Sequence, residues 1–273
     1  MRTFKLKNAS GYEYDLTDKE HFLYDPSNLG FSYDTDYQQV GAQFVQISEE
    51  LKQPKPSGVI KFNDYVEYNN FIKFIQKRPL VLIYIPDKEE FRLNCKVASL
   101  EKTEKEAGGW LHCKITFEGI GTWYRYSVLK KNNSSYREKT YNYSYPFQYT
   151  DTTINSMEII TESNIKSPMI ITFIGPCKNP SWVHYINGIR IASGKVFVDL
   201  KTGERMKISS VMPYSIVKTD SADNELEDLY GASDFSTQRF LWLEQGENMI
   251  TVAHEGIEDL NVIVEVYEYY ESV

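Results

Sequence analysis

The sequence predicts a mainly β protein that carries one α-helix, and three observations indicate this fold class. Short runs of alternating apolar and polar residues recur along most of the 273 residues, as in half-buried strands. Aromatic residues make up 14% of the chain, led by 21 Tyr, and Tyr and Phe favour strands. Helical spacing is clear in one stretch, residues 62–79. Since the chain is about twice as long as a usual domain, we expect two domains.

The stretch before the helix, GAQFVQISEELKQPKPSGVIKF (41–62), predicts a projecting β-arm. It offers two short alternating runs around a turn rich in Pro, Lys and Gly. Proline cannot donate to a strand ladder, so Pro54 and Pro56 at the tip favour an arm over the centre of a sheet. We place this arm at about Val40 to Gly58.

Residues 62–79, FNDYVEYNNFIKFIQKRP, predict an amphipathic helix with its own start and stop signals. Asp64 can cap the N-terminus, with Glu67 three residues later as in a capping box. Pro79 disfavours helical backbone at the residue before it and marks the end. The apolar residues that share one helix face are Tyr68, Phe71, Ile72 and Ile75. This face must pack on other elements.

Strands follow the helix. LVLIYIP (80–86) is unbroken in apolar residues, which predicts a strand buried on both faces, with the helix covering one of them. Two alternating runs, 91–100 and 110–117, flank the polar EKTEKEAGG and predict a β-hairpin. Cys95 and Cys113 could face each other across it, although free Cys is commonly a small buried hydrophobe.

A polar, Tyr-rich stretch at about 129–153 separates the two halves of the chain. It has no sustained period, and such a stretch is the expected place for a domain boundary. We therefore predict an N-terminal domain at 1–138 and a C-terminal domain at 139–273.

The C-terminal half predicts a β-sandwich of jelly-roll type, because many short strands follow one another without a helical pattern. Asn187-Gly188 is a strong hairpin signal, since both central positions of a type I′ turn need positive φ. Thr202-Gly203 suggests a second hairpin, and the acidic stretch 220–234 lacks the spacing of a calcium loop and reads as a solvated loop. The strand-like runs are 156–162, 168–174, 181–186, 189–193, 195–200, 204–209, 214–218, 239–243, 248–253 and 260–270.

Motifs for catalysis, metal binding and nucleotide binding are absent from the sequence. It contains no GxSxG, GxxxxGK[ST] or GxGxxG. Neither the four His nor the three Cys have metal-ligand spacing, so we expect no metal, no cofactor and no catalytic site. A pair of carboxylates for glycoside hydrolysis cannot be recognised in a single sequence. No group of residues in this chain supports a glycan-cleaving enzyme.

Charge and hydropathy narrow the class of partners. A formal net charge of −8 argues against specific nucleic-acid binding, which needs a basic face. No apolar run reaches the roughly 18–20 residues that span a bilayer, so we expect no membrane segment. The start, MRTFKLKNASGYEYDL, lacks the apolar region of a signal peptide, which predicts synthesis in a cytoplasm without export.

The order of these parts resembles the distal tail proteins of long-tailed bacteriophages that infect Gram-positive bacteria. The resemblance covers nearly the whole chain and depends on the order and spacing of its elements. Those elements are the arm ending PSGVIKF, the helix YVEYNNFIKFI, the strand LVLIYIP, the hairpin with ASLEKTEKEAGGWLHCKITFEGIGTWY, and a sandwich with GPCKNPSWVHYINGIRI and FLWLEQGENMITV.

The resemblance implies a structural part of the virion, at the tail tip or baseplate. In this family, N-terminal domains, each a small β-barrel or split barrel braced by the helix, form a hexameric ring, and galectin-like C-terminal sandwiches project outward. The implied partners are the same protein, the major tail tube protein, the tail-associated hub or lysin protein and a receptor-binding protein. On this reading the arm residues Phe44, Val45 and Ile47 contact the neighbouring subunit, since an extended arm is usually satisfied by pairing with another chain.

A second reading, from another class, is a carbohydrate-binding protein whose sandwich docks a cell-wall saccharide. Exposed aromatic rings stack on sugars, and Trp182 and Trp242 are the candidate contacts for a saccharide or a protein partner. The same residues could instead fill the core or a subunit interface. Sequence alone leaves these alternatives open.

Overall fold

The computed structural model describes residues 2–18, 21–106, 108–131, 152–256 and 259–273. They form a mainly β protein with one α-helix, which confirms the predicted fold class. The chain divides into an N-terminal unit, Met1–Arg125 together with Tyr270–Val273, and a C-terminal unit, Tyr126–Tyr269. The domain boundary predicted at 138/139 lies outside the described residues.

The N-terminal unit is built on antiparallel strands and the helix. Pairing follows the order β2-β1-β7-β8-β9-β6-β3, β10 pairs with β8, and β4 and β5 form a separate two-stranded sheet. The elements are β1 (Thr3–Lys7), β2 (Glu13–Asp15), β3 (Leu23–Ser27), β4 (Tyr33–Val40), β5 (Gln43–Leu51), β6 (Ser57–Phe62), α1 (Tyr65–Ile75), β7 (Leu80–Ile85), β8 (Phe91–Glu101), β9 (Leu111–Gly119) and β10 (Trp123–Lys131), the last continuing into the other unit.

The predicted hairpin of 91–100 and 110–117 is confirmed as β8 and β9. In β8, the part up to Cys95 pairs with β7 and the part from Cys95 onward pairs with β9. Cys95 lies opposite Gly119 in this register, so Cys95 and Cys113 do not face each other across the hairpin. All three cysteines are free and buried.

The small β-barrel that the resemblance implies for the N-terminal domain stays a prediction.

Alternation within the strands directs apolar side chains into one core. In β7, Leu80 and Leu82 belong to this core, whereas on the opposite face Ile83 is buried and Val81 and Ile85 are half-buried. The predicted burial of β7 on two faces is therefore only partly realised. Other strands and the helix contribute to the same core Phe4, Leu6, Ile60, Phe62, Phe71, Leu93, Ile115, Phe117 and Trp123.

The helix begins at its predicted cap. The Asp64 side chain accepts a hydrogen bond from the Glu67 backbone N–H at 2.9 Å. In return the Glu67 carboxylate accepts from the Asn63 backbone N–H at 2.7 Å, one residue earlier than in a standard capping box. These bonds satisfy backbone donors that the first helical turn leaves free.

One aromatic residue anchors the helix. Phe71 is fully buried, and its ring contacts Phe62 of β6 and Tyr14 of β2, with centroids 5.3 and 5.1 Å apart. The other predicted positions are half-buried, and Phe74, which the predicted face omitted, also packs on the core.

The arm differs from its prediction. The hairpin is β4 and β5, so it spans 33–51 and turns at Gly41-Ala42 rather than at Pro54 and Pro56. Gly41 has a φ of +64°, as a two-residue hairpin turn with glycine first requires. Pro54 and Pro56 lie beyond the arm, where their carbonyls accept hydrogen bonds from two backbone N–H groups of β9 at 2.9 and 2.8 Å. The segment predicted as the tip is therefore fixed to the N-terminal sheet.

The C-terminal unit contains two antiparallel sheets. One follows the order β19-β18-β17-β12-β22, with β20 also on β12, and the other the order β11-β21-β14-β15, while β13 pairs with β16. The strands are β11 (Thr152–Thr161), β12 (Ser167–Ile174), β13 (Cys177–Lys178), β14 (Ser181–Ile186), β15 (Ile189–Lys195), β16 (Asp199–Leu200), β17 (Arg205–Ser209), β18 (Ser215–Thr219), β19 (Glu225–Asp228), β20 (Trp242–Leu243), β21 (Gly246–Glu255) and β22 (Asn261–Tyr270).

Buried side chains from both sheets, such as Phe173 of β12 and Val252 of β21, form a single core, as expected for a β-sandwich. Asn187 and Gly188 have φ of 48° and 78° and join β14 to β15, which confirms that hairpin. Gly203 has a φ of +87°, but its flanking strands pair elsewhere, so the second predicted hairpin is wrong. Its neighbours belong to different sheets.

The acidic stretch contains a short edge strand, β19, whose four residues are all exposed. Among the described residues no three His, Cys, Asp or Glu lie where they could hold a metal ion together. The part of the chain that the structure describes also has no helix with the length and apolarity needed to cross a membrane.

Candidate assembly interface

The β4–β5 hairpin, here called the arm (33–51), is the candidate assembly interface. The three predicted interface residues all lie on it: Phe44 is 69% exposed, Val45 51% and Ile47 64%. A two-stranded ribbon is only marginally stable by itself, and exposed apolar area of this kind marks surfaces that bind another molecule. The arm therefore has apolar surface to offer a partner.

The register of the hairpin distributes these side chains over two faces. Tyr37 and Phe44 are diagonal neighbours on one face, and Val40 and Val45 lie on the other. Ile47 is the extra residue of a β-bulge. Tyr37 and Val40, each 58% exposed, were absent from the predicted set. The alternation in YDTDYQQV, directly before Gly41, was the signal for them.

The arm is also acidic. Between residues 31 and 51 the sequence has four carboxylates, Asp34, Asp36, Glu49 and Glu50, and no Lys or Arg. Asp34 lies 3.3 Å from the Lys52 ammonium, and both side chains are well exposed, so that pair contributes little. The carboxylates lie towards the root and the apolar residues towards the tip.

Contacts at the root hold the arm on the N-terminal unit. The Tyr33 hydroxyl donates to the Glu271 carboxylate, and this hydrogen bond raises the pKa of Tyr33 above its ordinary value. Directly after β5, the Lys52 backbone N–H donates to the Ser32 carbonyl at 2.8 Å. The Gln53 side-chain amide then donates to the Gly119 carbonyl at 2.6 Å. The root is thus fixed while the tip is exposed.

In the C-terminal unit, Trp182 is not the surface contact that the sequence suggested. Its side chain is 1% exposed, in contact with the Phe173 ring, with centroids 6.3 Å apart. Gly194, opposite it on β15, leaves room for the indole. A ring buried on the inner face of the sandwich presents nothing to a saccharide, so this prediction is wrong.

Trp242 is half-buried and belongs to a surface group, here called the aromatic cluster, which comprises Tyr214, Tyr230, Phe235, Arg239, Phe240 and Trp242. The Trp242 ring meets Tyr214 edge-on, with centroids 5.8 Å apart. The Arg239 guanidinium lies 4.0 Å above the Phe235 ring centre, and its Nη1 donates to the Tyr230 hydroxyl at 2.7 Å. Sequence reasoning found one member of this cluster, because the six positions have no regular spacing. A ligand role for Trp242 stays a prediction.

The buried thiols are poor nucleophiles. Burial raises the pKa of Cys95 to about 12 and that of Cys177 to about 12. Since the thiolate is the reactive form, neither sulfur is poised for chemistry near neutral pH.

Comparison with known proteins identifies the N-terminal elements. Residues 3–120 match the family model described as the N-terminal domain of the distal tail protein. No curated protein sequence matches the chain. A chain of the phage P2 baseplate, in its activated conformation with Ca, is 18% identical, with a TM-score of 0.64 over 100% of both chains.

A second solved structure has the same fold. The SPP1 Dit protein, described as a paradigm of the hub adsorption apparatus in phages that infect Gram-positive bacteria, is 11% identical. Its TM-score is 0.64, over 98% of this chain and 99% of that chain. The residues matched by the family model include the sheet, the helix and the arm described above. Residues 3–120 are therefore an N-terminal domain of the distal tail protein family.

Proposed function

We propose that this chain is a structural adaptor of a phage tail tip, and that copies of it form a hexameric ring through the arm. The observation that carries the proposal is the arm itself, an anchored hairpin with exposed Phe44, Val45 and Ile47 on a distal tail protein domain. When each copy extends such a ribbon to the next, the contact is head-to-tail, and rotation closes it into a ring.

The ring joins the tail tube protein on one side to the tail-associated hub protein on the other, with the receptor-binding protein at its periphery. The similar solved structures support this place, because one belongs to a phage baseplate and the other is described as a hub adsorption apparatus. The role is structural and belongs to the virion, with no catalytic step, no cofactor, no membrane insertion and no specific nucleic-acid binding.

Light scattering after size-exclusion chromatography tests the ring. Wild type should elute with several times the 31.8 kDa of one chain. The triple variant Phe44→Ser, Val45→Ser, Ile47→Ser should elute as a monomer, because it loses the apolar area of the arm. Ile160→Ser, Ile189→Ser, Ile191→Ser is the matched control, since these three residues of the C-terminal unit are similarly exposed.

Two results would contradict the proposal. If the arm variant still forms a ring, the apolar residues of the arm are not needed for assembly. If the control variant also fails to form a ring, the cause is a general loss of apolar surface rather than the loss of the arm.

The second candidate function is saccharide docking, and the aromatic cluster is the observation that favours it. Phe235 is among the exposed side chains and lies beside the Arg239 guanidinium, so rings and donors face solvent together. Tyr214→Ala with Trp242→Ala should abolish binding on an array of cell-wall glycans. A wild-type protein that binds no glycan there excludes this function.

A further inference from the structure

The N-terminal unit has an open pocket at the C-terminal end of α1. It has a volume of about 370 Å³ and is lined by Asn8, Tyr12, Tyr14, Asn70, Lys73, Phe74 and Lys77. One wall is the turn between β1 and β2, where the Asn8 side chain accepts from two backbone N–H groups at 3.0 and 3.2 Å. The Ala9 N–H donates to the Lys77 carbonyl at 3.0 Å and ties this turn to the end of the helix. The pocket is therefore built from fixed backbone.

Apolar rings line the pocket and cations border it. Tyr12 is 66% exposed, and Phe74 lies half-buried opposite. Lys73 lies in the last turn of α1 and Lys77 lies two residues beyond the end of this helix, and both side chains are exposed. The lining contains no carboxylate, and in the described part of the chain neither lysine has an ion pair. The pocket therefore places aromatic rings beside two lysines whose charges no carboxylate of the lining neutralises.

We infer that this pocket receives the arm of a second copy of the chain, with Phe44 packed against Tyr12 and Phe74, and with Glu49, the carboxylate on the same face of the arm, directed towards Lys73 and Lys77. The inference rests on the proposed ring and names the surface that the arm occupies. The arm is apolar towards its tip, has no cation, and carries Glu49 on the same face as Phe44, so this face complements the aromatic lining and the positive charge of the pocket.

Phe44 is the anchor because it is the most exposed apolar side chain of the arm. Its face also carries Tyr37 and, nearer the root, Glu49. An aromatic anchor in a pocket with charges at its rim is the usual organisation of a protein interface.

Another concave surface of the same unit fits the arm less well. It is lined by Lys5, Lys7, Glu13, Val81, Ile83, Glu90, Arg92 and Tyr124. Lys5 lies 3.6 Å from Glu13, and Arg92 lies 2.6 Å from Glu90. Because its own carboxylates neutralise those cations, it offers less attraction to an acidic arm.

Charge reversal with rescue tests the pairing in the full-length protein. Lys73→Glu with Lys77→Glu should raise the concentration for half-assembly about tenfold, measured by sedimentation velocity. Adding Glu49→Lys to the same chain should restore part of the assembly, since the charges are then exchanged across the contact. The matched control is Lys88→Glu with Lys114→Glu, two exposed lysines outside the pocket, which should leave assembly unchanged.

Cross-linking locates the contact directly. Phe44→p-benzoylphenylalanine, irradiated in otherwise wild-type protein, should give a species of twice the chain mass, and mass spectrometry should place the link in residues 8–14 or 70–77. A double-mass product linked to any other segment overturns the inference and keeps the ring through the arm. A link within one chain, or no product at concentrations where wild type assembles, overturns both the pocket as the docking site and the ring through the arm. Failure of the charge rescue, with cross-links in the pocket, overturns the role of the two lysines.

Discussion

Trp182 and Gly194 form a matched pair across β14 and β15. A Cβ added at position 194 would overlap the six-membered ring of the Trp182 indole. Since this ring is buried and fixed by its neighbours, the clash cannot be relieved by a simple rotation. Glycine is therefore required here for space rather than for its backbone conformation.

Gly194→Ala should destabilise the C-terminal unit by about 1–3 kcal/mol, the usual cost of overpacking a core. Urea unfolding monitored by tryptophan fluorescence measures this cost. Gly231→Ala is the control, because a Cβ at 231 meets nothing within 4 Å. Equal loss of stability in both variants would contradict the packing of Trp182 under Gly194.

His184 is a second buried residue with a measurable consequence. Its side chain is 1% exposed, and its Nε2 lies 3.1 Å from the Asn248 Oδ1. Burial lowers the pKa of His184 below its ordinary value of 6.5, while Asn248 and Glu244 oppose this shift. The folded protein therefore keeps His184 neutral at pH values where the unfolded chain has begun to bind a proton.

The free energy of unfolding should fall as the pH drops below about 6.5, because the unfolded state then binds more protons than the folded state at this site. The slope should disappear below the folded-state pKa, where both states are protonated. His184→Gln keeps a hydrogen-bonding partner for Asn248 and removes the titration. Urea unfolding between pH 8 and pH 5 should show a shallower decline for this variant, and parallel curves would contradict the assignment.

At the scale of elements, the sequence correctly predicted the caps and turns that a few neighbouring residues determine. The Asp64 cap and the Asn187-Gly188 turn lie where expected, because each is decided within a few residues. The predicted position of the arm is wrong because Pro54 and Pro56 do not form its tip, and the carbonyls of both residues accept hydrogen bonds from β9. Gly41, between two alternating runs, was the better turn signal. The aromatic cluster joins Tyr214 to side chains between residues 230 and 242, and these positions follow neither a strand nor a helix period that a sequence reading could recognise.

Excision of the arm should separate assembly from folding. Replacing Asp36–Ser48 by Asn-Gly leaves Thr35 and Glu49, which pair across the hairpin, joined by a favoured two-residue turn. The root bonds remain, so the thermal unfolding midpoint should change little. Sedimentation velocity should then detect only monomer.

The matched comparison is deletion of residues 42–57. This deletion also removes Gln53, Pro54 and Pro56, whose bonds hold this segment to β9. It should therefore lower stability as well as assembly. An excised variant that still forms rings would show that the arm has no part in assembly.

At the scale of the whole molecule, the N-terminal unit is discontinuous in sequence. It takes in Tyr270–Val273 from the end of the chain. The Tyr270 ring meets Phe91 edge-on, with centroids 5.4 Å apart, and Val273 packs on the same core. Glu271 accepts the hydrogen bond that fixes Tyr33 at the root of the arm. A boundary drawn along the sequence has no signal for such a return, because the partners are close only after folding.

Truncation after Tyr269 should therefore destabilise the N-terminal unit, by about 2 kcal/mol for the lost aromatic and apolar contacts. Hydrogen exchange should become faster in β8 around Phe91 and stay unchanged in β21 of the C-terminal unit. Truncation after Glu271 is the matched control, since it keeps Tyr270 and the bond from Tyr33 and should recover most of the protection. Exchange that rises equally in both units, or in neither, would contradict the assignment of these last residues. If they also hold the root of the arm in place, the longer truncation should weaken ring assembly, although every apolar residue of the arm is intact.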